Sequence, residues 1–363
     1  MTMIRVLIVD DSPTVRLLLQ ATLEADPEIR VAGFAVNGQD AVQQTNALRP
    51  DIVTMDVEMP LLNGIEATRL IMEQCPTPIV IVTSHSSDND AVTFNALRMG
   101  ALQVLEKPTD LASQMRQQER ELFVATIKAL SEVRVVRRRF DSSLRTSAAS
   151  GNQLPQLRRR VEIVAIGAST GGPAALNAVL RTLPATLALP LVIVQHITAG
   201  FTQGLVEWLQ HDCLLPLRIV LQPTTMAPGT IYFAPDERHL FVRNKHLLDL
   251  SDAPQVNHVR PSVDVLFESV ARCYGGATAA ALLTGMGEDG AAGLQAVYLQ
   301  GGITIAQDEA TSIVYGMPKA AADLGVCNYI PAAGDWPPPR QSAGWIAAAG
   351  YKTAGRAFFP LLQ

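Results

Sequence analysis

Three residues of this sequence are of the types, and at the kind of position, that nucleophilic catalysis requires. Ser169 lies in Gly167-Ala168-Ser169-Thr170-Gly171-Gly172-Pro173, directly after the apolar run Val161–Ile166. His196 closes the run Leu191-Val192-Ile193-Val194-Gln195, and Asp289 follows the run Ala277–Thr284 within Thr284-Gly285-Met286-Gly287-Glu288-Asp289-Gly290. A serine needs a base to take its proton, and the base needs a carboxylate to hold its tautomer and steady the imidazolium. Gly167-x-Ser169-x-Gly171 fits a nucleophile elbow, but a glycine-rich strand-to-helix turn serves phosphate binding equally well. That stretch alone leaves both readings open, and the His196 and Asp289 stretches tip it toward a triad. Main-chain N–H groups of Thr170 and Met286 fall near the serine, where an oxyanion needs donors. The order Ser…His…Asp differs from the Ser…Asp/Glu…His of α/β-hydrolases, so the elbow does not place the chain in that fold.

Other residues compete for these roles. His258, in Val256-Asn257-His258-Val259-Arg260-Pro261-Ser262, is the main rival as base, although a loop entering a helix equally suits a residue that lines a cleft. His85 and His211 read as surface residues, and His239 and His246 fall in a hairpin-like region. Glu288 adjoins Asp289 but should point elsewhere, while Asp264 and Asp308 read as helix-start and loop residues.

A second chemical set is acidic. Asp10, Asp11, Asp56, Thr83 and Lys107 stand at the ends of successive apolar runs in the first 130 residues. Three carboxylates together repel one another unless a cation or Lys107 offsets them, and a hard divalent ion with oxygen ligands suits such a cluster.

The elements that must carry these groups are short apolar runs alternating with amphipathic stretches, the pattern of doubly wound parallel sheets. In the first segment the runs are Val6–Val9, Ile29–Ala35, Ile52–Met55, Ile79–Val82 and Ala101–Leu105, with a helix over Thr14–Ala25. Carboxyl ends of such strands form the crevice where ligands bind. From Val161 a second alternation begins. Leu217–Asp249, broken by Pro223, Pro228-Gly229 and Asp236, reads as β hairpins laid on the main sheet. Val263–Tyr274 reads as a helix with Ser262 as N-cap. Between the alternations, residues 131–160 combine two arginine clusters with small polar residues, the composition of a flexible basic linker. A nucleic-acid patch there lacks accompanying aromatics or a binding motif.

Two resemblances follow. Asp10-Asp11-Ser12, Asp56 with Met59-Pro60 and Asn63-Gly64, Thr83 and Lys107-Pro108 resemble the receiver domain of two-component response regulators. The resemblance implies a flavodoxin-like (βα)5 fold over residues 1–130, with Asp56 as phosphoacceptor from a histidine kinase. It also implies Mg²⁺ on Asp10, Asp11, Asp56 and the Glu58 carbonyl, and Thr83 and Lys107 as the switch pair. The Ser169, His196 and Asp289 stretches, with His258–Asp264 and Gln307-Asp308-Glu309-Ala310-Thr311-Ser312, resemble the chemotaxis protein-glutamate methylesterases, the CheB family. That resemblance implies a doubly wound, mainly parallel α/β esterase domain over 161–331, a carboxylic ester hydrolase (EC 3.1.1.-). The implied reaction is hydrolysis of glutamyl methyl esters on chemoreceptors, with deamidation of receptor glutamines, by a Ser169–His196–Asp289 triad supported by Thr170 and Met286. It needs no cofactor, and phosphorylation of Asp56 is expected to relieve a restraint by the receiver. Thr198 stands where the family commonly has proline, and the tail 332–363 departs from the family's usual ending.

Composition narrows the remaining classes. At 363 residues there is room for two or three domains, and 48% hydrophobic with 5% aromatic residues suits α/β layers. A formal charge of −5 argues against nucleic acid as a main partner. The four cysteines show no metal spacing and are expected to be reduced thiols. No signal-peptide pattern precedes the first strand and no run is long enough to span a bilayer, so a cytoplasmic monomer without membrane insertion is expected. Two other readings stay in view: a binding module with a degenerate site, and a nucleotide-binding regulator using the Gly167–Gly172 turn.

Overall fold

The computed structural model describes residues 3–84, 93–108, 115–133, 135 and 161–330. His85, nearly all of the linker expected over 131–160, and the tail 332–363 lie outside the described residues. The chain folds as two compact units, Met1–Ser142 and Ser143–Gln363.

In the first unit, strands β1 (Ile4–Val9), β2 (Ile29–Ala35), β3 (Ile52–Met55), β4 (Ile79–Thr83) and β5 (Gln103–Glu106) form a parallel sheet in the order β2-β1-β3-β4-β5. All four residues of β3 and Val6–Val9 of β1 are buried, as expected of strands covered on both faces by helices. The helices are α1 (Pro13–Leu23), α2 (Gly38–Leu48), α3 (Gly64–Gln74), α4 (Asn95–Met99) and α5 (Met115–Ser131). Ser12, Asn37 and Asn63 cap the first three, their side chains accepting from the Val15, Asp40 and Glu66 amides. Each cap contributes about 1 kcal/mol and fixes where the chain turns from strand end to helix. The strand order reverses between β1 and β3, and the residues just beyond those two strands are Asp10 and Asp56.

The second unit has a six-stranded parallel sheet in the order β14-β13-β6-β7-β10-β8. Its strands are β6 (Ile163–Ala168), β7 (Leu191–Gln195), β8 (Leu217–Ile219), β10 (Ile231–Phe233), β13 (Thr278–Leu282) and β14 (Ile303–Ala306). The helices are α6 (Gly172–Leu180), α7 (Thr202–Gln210), α8 (Val263–Tyr274), α9 (Ala291–Leu299) and α10 (Met317–Asp323). The hairpin reading of Leu217–Asp249 needs correction. Only β9 (Thr224–Thr225), β11 (His239–Asn244) and β12 (Leu247–Ser251) form an antiparallel sheet, whereas β8 and β10 extend the main sheet in parallel. Three-residue runs carry too little periodicity to separate the two cases, and the deciding fact is non-local: Ile231–Phe233 are all buried against β7.

The small sheet has a positioning role. Leu240, Val242 and Leu248 pack in one core with Leu266, Phe267 and Val270 of α8 and Ile163, Ala165 and Val192 of the main sheet. Helix α8 is thus held between two sheets, and its N-terminus is fixed in space. Among the described residues no helix is long and apolar enough to cross a membrane.

Candidate active site

Strand register brings the three sequence stretches together. Ala168 pairs with Gln195 across β6 and β7, which sets Ser169 beside His196, and the His196 amide donates to the Ala168 carbonyl at 2.9 Å. On the other side β13 pairs with β6, and the Ser169 amide donates to the Thr284 carbonyl at 3.0 Å. Gly171 has φ +78°, left-handed backbone that glycine adopts without strain, and this closes the turn after Ser169 and starts α6. At Gly285 a Cβ would lie 2.6 Å from the Ser169 Cβ, so the Thr284–Asp289 turn can approach the serine only because residue 285 is glycine.

His196 Nε2 lies 2.9 Å from Asp289 Oδ2. With Nε2 so engaged, Nδ1 is the ring nitrogen that does not face the carboxylate. The Ser169 side chain is half-buried and makes no hydrogen bond to His196 among the described residues, a common looseness in nucleophile–base pairs without substrate. Asp289 is 3% exposed and sits against the N-terminus of α8. Its Oδ2 also accepts from the Val263 amide at 2.6 Å, and its Oδ1 from Ser262 Oγ at 2.7 Å and Asn257 Nδ2 at 3.0 Å. Burial alone would raise the Asp289 pKa, but His196, the Ser262 hydroxyl and the Val263 amide outweigh it and hold the carboxyl below its ordinary value. The acid therefore stays ionised beside the base.

Several of these groups carried no sequence signal for their role. Ser262 caps α8 as expected, accepting from the Val265 amide, and the same hydroxyl also donates to Asp289. Asn257 donates through one Nδ2 to both Asp289 Oδ1 and Asp264 Oδ2, the latter at 2.7 Å. Asp264 does start α8, but its carboxylate is buried and also accepts from the Gly293 amide at 2.6 Å. Burial, with Asp289 close by, raises its pKa to about 6 despite those two donors. A signal for Asn257 existed: asparagine tolerates left-handed backbone, and Asn257 and His258 have φ +51° and +64° in a turn closed by Val256 and Val259.

The other histidines sit in different surroundings. His239 is 1% exposed, with Nδ1 accepting from the Ser262 amide at 3.1 Å and Nε2 near the Pro254 carbonyl at 3.0 Å. Both of its nitrogens are occupied. His211, His246 and His258 are at the surface or partly so, and it is His196 that holds the carboxylate. Glu288 is exposed, and Asp308 is a buried loop residue. Thr170 is buried and Met286 is 37% exposed, and neither main-chain N–H donates to another backbone carbonyl among the described residues.

In the first unit, Lys107 Nζ bridges Asp10 Oδ2 at 2.7 Å and Asp56 Oδ2 at 2.9 Å. Asp10 and Asp56 are 1% and 4% exposed. Burial raises the Asp56 pKa to about 6; Lys107 pulls it down and Asp10 pushes it up further. Burial opposes the charge on Lys107, yet its two carboxylate partners prevail and its pKa is raised. Thr83 is buried at the end of β4, its hydroxyl donating to the Ser84 carbonyl at 3.4 Å. Carboxylate oxygens of Asp10, Asp11 and Asp56 lie within 4.8 Å of one another. Three carboxylates so close together fit a hard divalent cation, and the adjoining cleft is lined by Asp11, Glu58, Met59 and Asn63.

An acidic pocket at the switch point of one α/β unit, and a serine beside a carboxylate-held histidine on the strand ends of another, define a class: a receiver coupled to a serine-hydrolase-type domain. The sequence matches the family profiles "Response regulator receiver domain" over residues 6–119 and "CheB methylesterase" over residues 164–335. The chain belongs to the CheB methylesterase family. It is 44% identical to "Protein-glutamate methylesterase/protein-glutamine glutaminase 1" of Syntrophus aciditrophicus, over 90% of this chain and 95% of that protein. It is 42% identical to the relative numbered 4 in Myxococcus xanthus, over 92% and 94% respectively. The solved catalytic domain of Thermotoga maritima CheB methylesterase is 37% identical, covering 47% of this chain and 92% of that one, with a TM-score of 0.46.

Proposed function

We propose that this chain is a phosphorylation-controlled esterase that hydrolyses glutamyl methyl esters on chemoreceptors and deamidates receptor glutamines. The observation that carries the reading is the 2.9 Å His196–Asp289 pair, anchored at the N-terminus of α8 and set beside Ser169 by strand register. His196 Nδ1 takes the Ser169 proton as Oγ attacks the side-chain ester carbonyl. The resulting oxyanion is met by the Thr170 and Met286 N–H groups. Collapse breaks the C–O bond, His196 returns its proton to the methoxy oxygen, and methanol leaves. Water then attacks the acyl-serine and gives a proton to His196, which passes it to Ser169 Oγ as the bond to serine breaks, releasing the glutamate carboxyl and restoring both side chains. With a glutamine substrate the leaving group is ammonia. No step calls for a cofactor in the catalytic unit.

Asp56 is the phosphoacceptor in this reading, supplied by a chemotaxis histidine kinase in the cytoplasm. Asp10, Asp11, Asp56 and the Glu58 carbonyl would hold Mg²⁺, which when bound neutralises charge on the transferring phosphoryl group. Lys107 pairs with the phosphoryl oxygens, and Thr83 turns toward them to report the modification. The functional boundaries are 1–130 for the receiver, 131–160 for the tether and 161–331 for the esterase, acting as a monomer. The deciding measurement is methanol release from methylated receptor. A binding module with a degenerate site gives none, and a nucleotide-binding regulator gives saturable nucleotide binding in its place.

A further inference from the structure

The serine and the histidine belong to different strands, and nothing in a parallel ladder beyond its last bond fixes their separation. Gln195 fills that gap. It is 5% exposed, and its Nε2 donates to the Ser169 carbonyl at 2.8 Å and to the His196 carbonyl at 2.8 Å. One amide group therefore straps the backbone of the nucleophile to the backbone of the base, just past the last β6–β7 pair. Two carbonyl acceptors require the NH₂ on that side, so the amide orientation follows from the contacts. Its Oε1 lies over Gly172 in the first turn of α6, where a Cβ would approach it to 2.0 Å. Gly172 is thus the residue that leaves room for the strap, a role separate from the left-handed turn at Gly171.

Resting on the esterase reading, we propose that Gln195 is a positioning residue that sets the distance and angle between Ser169 Oγ and His196. It does not touch substrate. It holds two main-chain carbonyls, and loss of its donors lets the strand ends part. A displacement of about 1 Å between reacting groups lowers rates on the order of 100-fold.

The test uses the full-length protein and two readouts: methanol release from methylated receptor, and the rate at which a fluorophosphonate probe labels Ser169, which needs no receptor. Gln195→Met keeps the volume and removes both donors. Labelling and kcat should fall roughly 10- to 100-fold with KM within about twofold, measured well below a melting temperature that the loss of two buried hydrogen bonds will lower. Gln195→Glu adds a readout independent of packing. An ionised carboxylate repels both carbonyls, whereas the neutral acid donates one bond, so the variant-to-wild-type rate ratio should rise as pH falls. Gly172→Ala should displace the amide and reproduce the defect, and its effect should not add to that of Gln195→Met. Wild-type protein that labels and turns over, with Gln195→Met equal to it within about twofold, overturns the strap and leaves the esterase reading standing. A Gln195→Glu ratio flat with pH overturns it as well. Wild-type protein that neither labels nor releases methanol overturns both.

Discussion

Replacing Asp289 by asparagine removes a charge and turns one acceptor into a donor without changing shape, and the structure gives each consequence a size. Oδ1 receives Ser262 Oγ, Asn257 Nδ2 and, at 3.5 Å, the Asp264 amide, while Oδ2 receives the Val263 amide and His196 Nε2. If the new NH₂ takes the Oδ2 position, it faces an amide that cannot reverse and an imidazole that can. The ring then moves its proton to Nδ1, the nitrogen needed as base, and a wrong tautomer of this kind lowers kcat about 10⁴-fold. If the NH₂ takes the Oδ1 position, the Ser262 hydroxyl can turn and the tautomer survives, but the imidazolium loses its counter-charge. At ~4 Å between charge centres and an effective dielectric of about 20, that is roughly 4 kcal/mol, or about 10³ in rate. Either orientation thus predicts a loss on the order of 10³ to 10⁴ in methanol release. KM should stay within about twofold, because Asp289 does not face substrate. A buried donor facing donors also costs about 1–3 kcal/mol of stability, so assays belong well below the variant's melting temperature. A loss smaller than about tenfold would refute the account and remove Asp289 from the mechanism.

Three further outcomes are expected. Ser169→Ala should abolish both methanol release and probe labelling while changing stability by no more than about 0.5 kcal/mol, since the half-buried hydroxyl makes no hydrogen bond among the described residues; turnover near wild type removes it as nucleophile. Asp56→Asn should stabilise the receiver at neutral pH. With the carboxyl pKa raised from 3.8 to about 6, its favourable contribution is complete below pH 3.8 and lost as pH rises through about 6, which leaves a penalty of roughly 3 kcal/mol at pH 7. Melting in chelator should therefore be higher for the variant, and Mg²⁺ should raise the wild type more than the variant; a variant no more stable than wild type contradicts the strained pocket. Last, a fragment beginning near Gln153 should be more active than the unphosphorylated full chain, and Asp56→Asn should not respond to a phosphodonor. Tenfold activation needs only about 1.4 kcal/mol. A fragment no faster than the resting chain would make the receiver an activator in place of a restraint.

The fold was legible where local pattern and tertiary role coincide. Ile29–Ala35 and Ile52–Met55 are strands with the limits their apolar runs indicate. Val263–Tyr274 is likewise a helix over the stretch read as one. It was not legible at Leu217–Ile219 and Ile231–Phe233, where three residues can join a parallel edge or a hairpin and only the neighbour at β7 decides. Proline and glycine breaks there marked the turns correctly and said nothing about strand direction.

The site divides along the same line. Ser169, His196 and Asp289 could be singled out as candidates because each lies at or just past the end of a buried run, and a parallel sheet carries all such ends to one edge. The groups that hold Asp289 could not, because each does a second job that its local pattern already explains. A hydroxyl has one proton and two lone pairs, so Ser262 caps α8 with its oxygen and grips Asp289 with its hydrogen. The cap is visible in the sequence, and nothing in the sequence points to the proton. Likewise Asn257 satisfies its left-handed turn and bridges two carboxylates, and His239 supports Ser262 from a strand whose local pattern marks it only as an ornament of the main sheet. Asp289 is therefore anchored on α8, an element that carries none of the three residues of the proposed triad. What looks like an appended hairpin is, through Leu240, Val242 and His239, the clamp that keeps that anchor still.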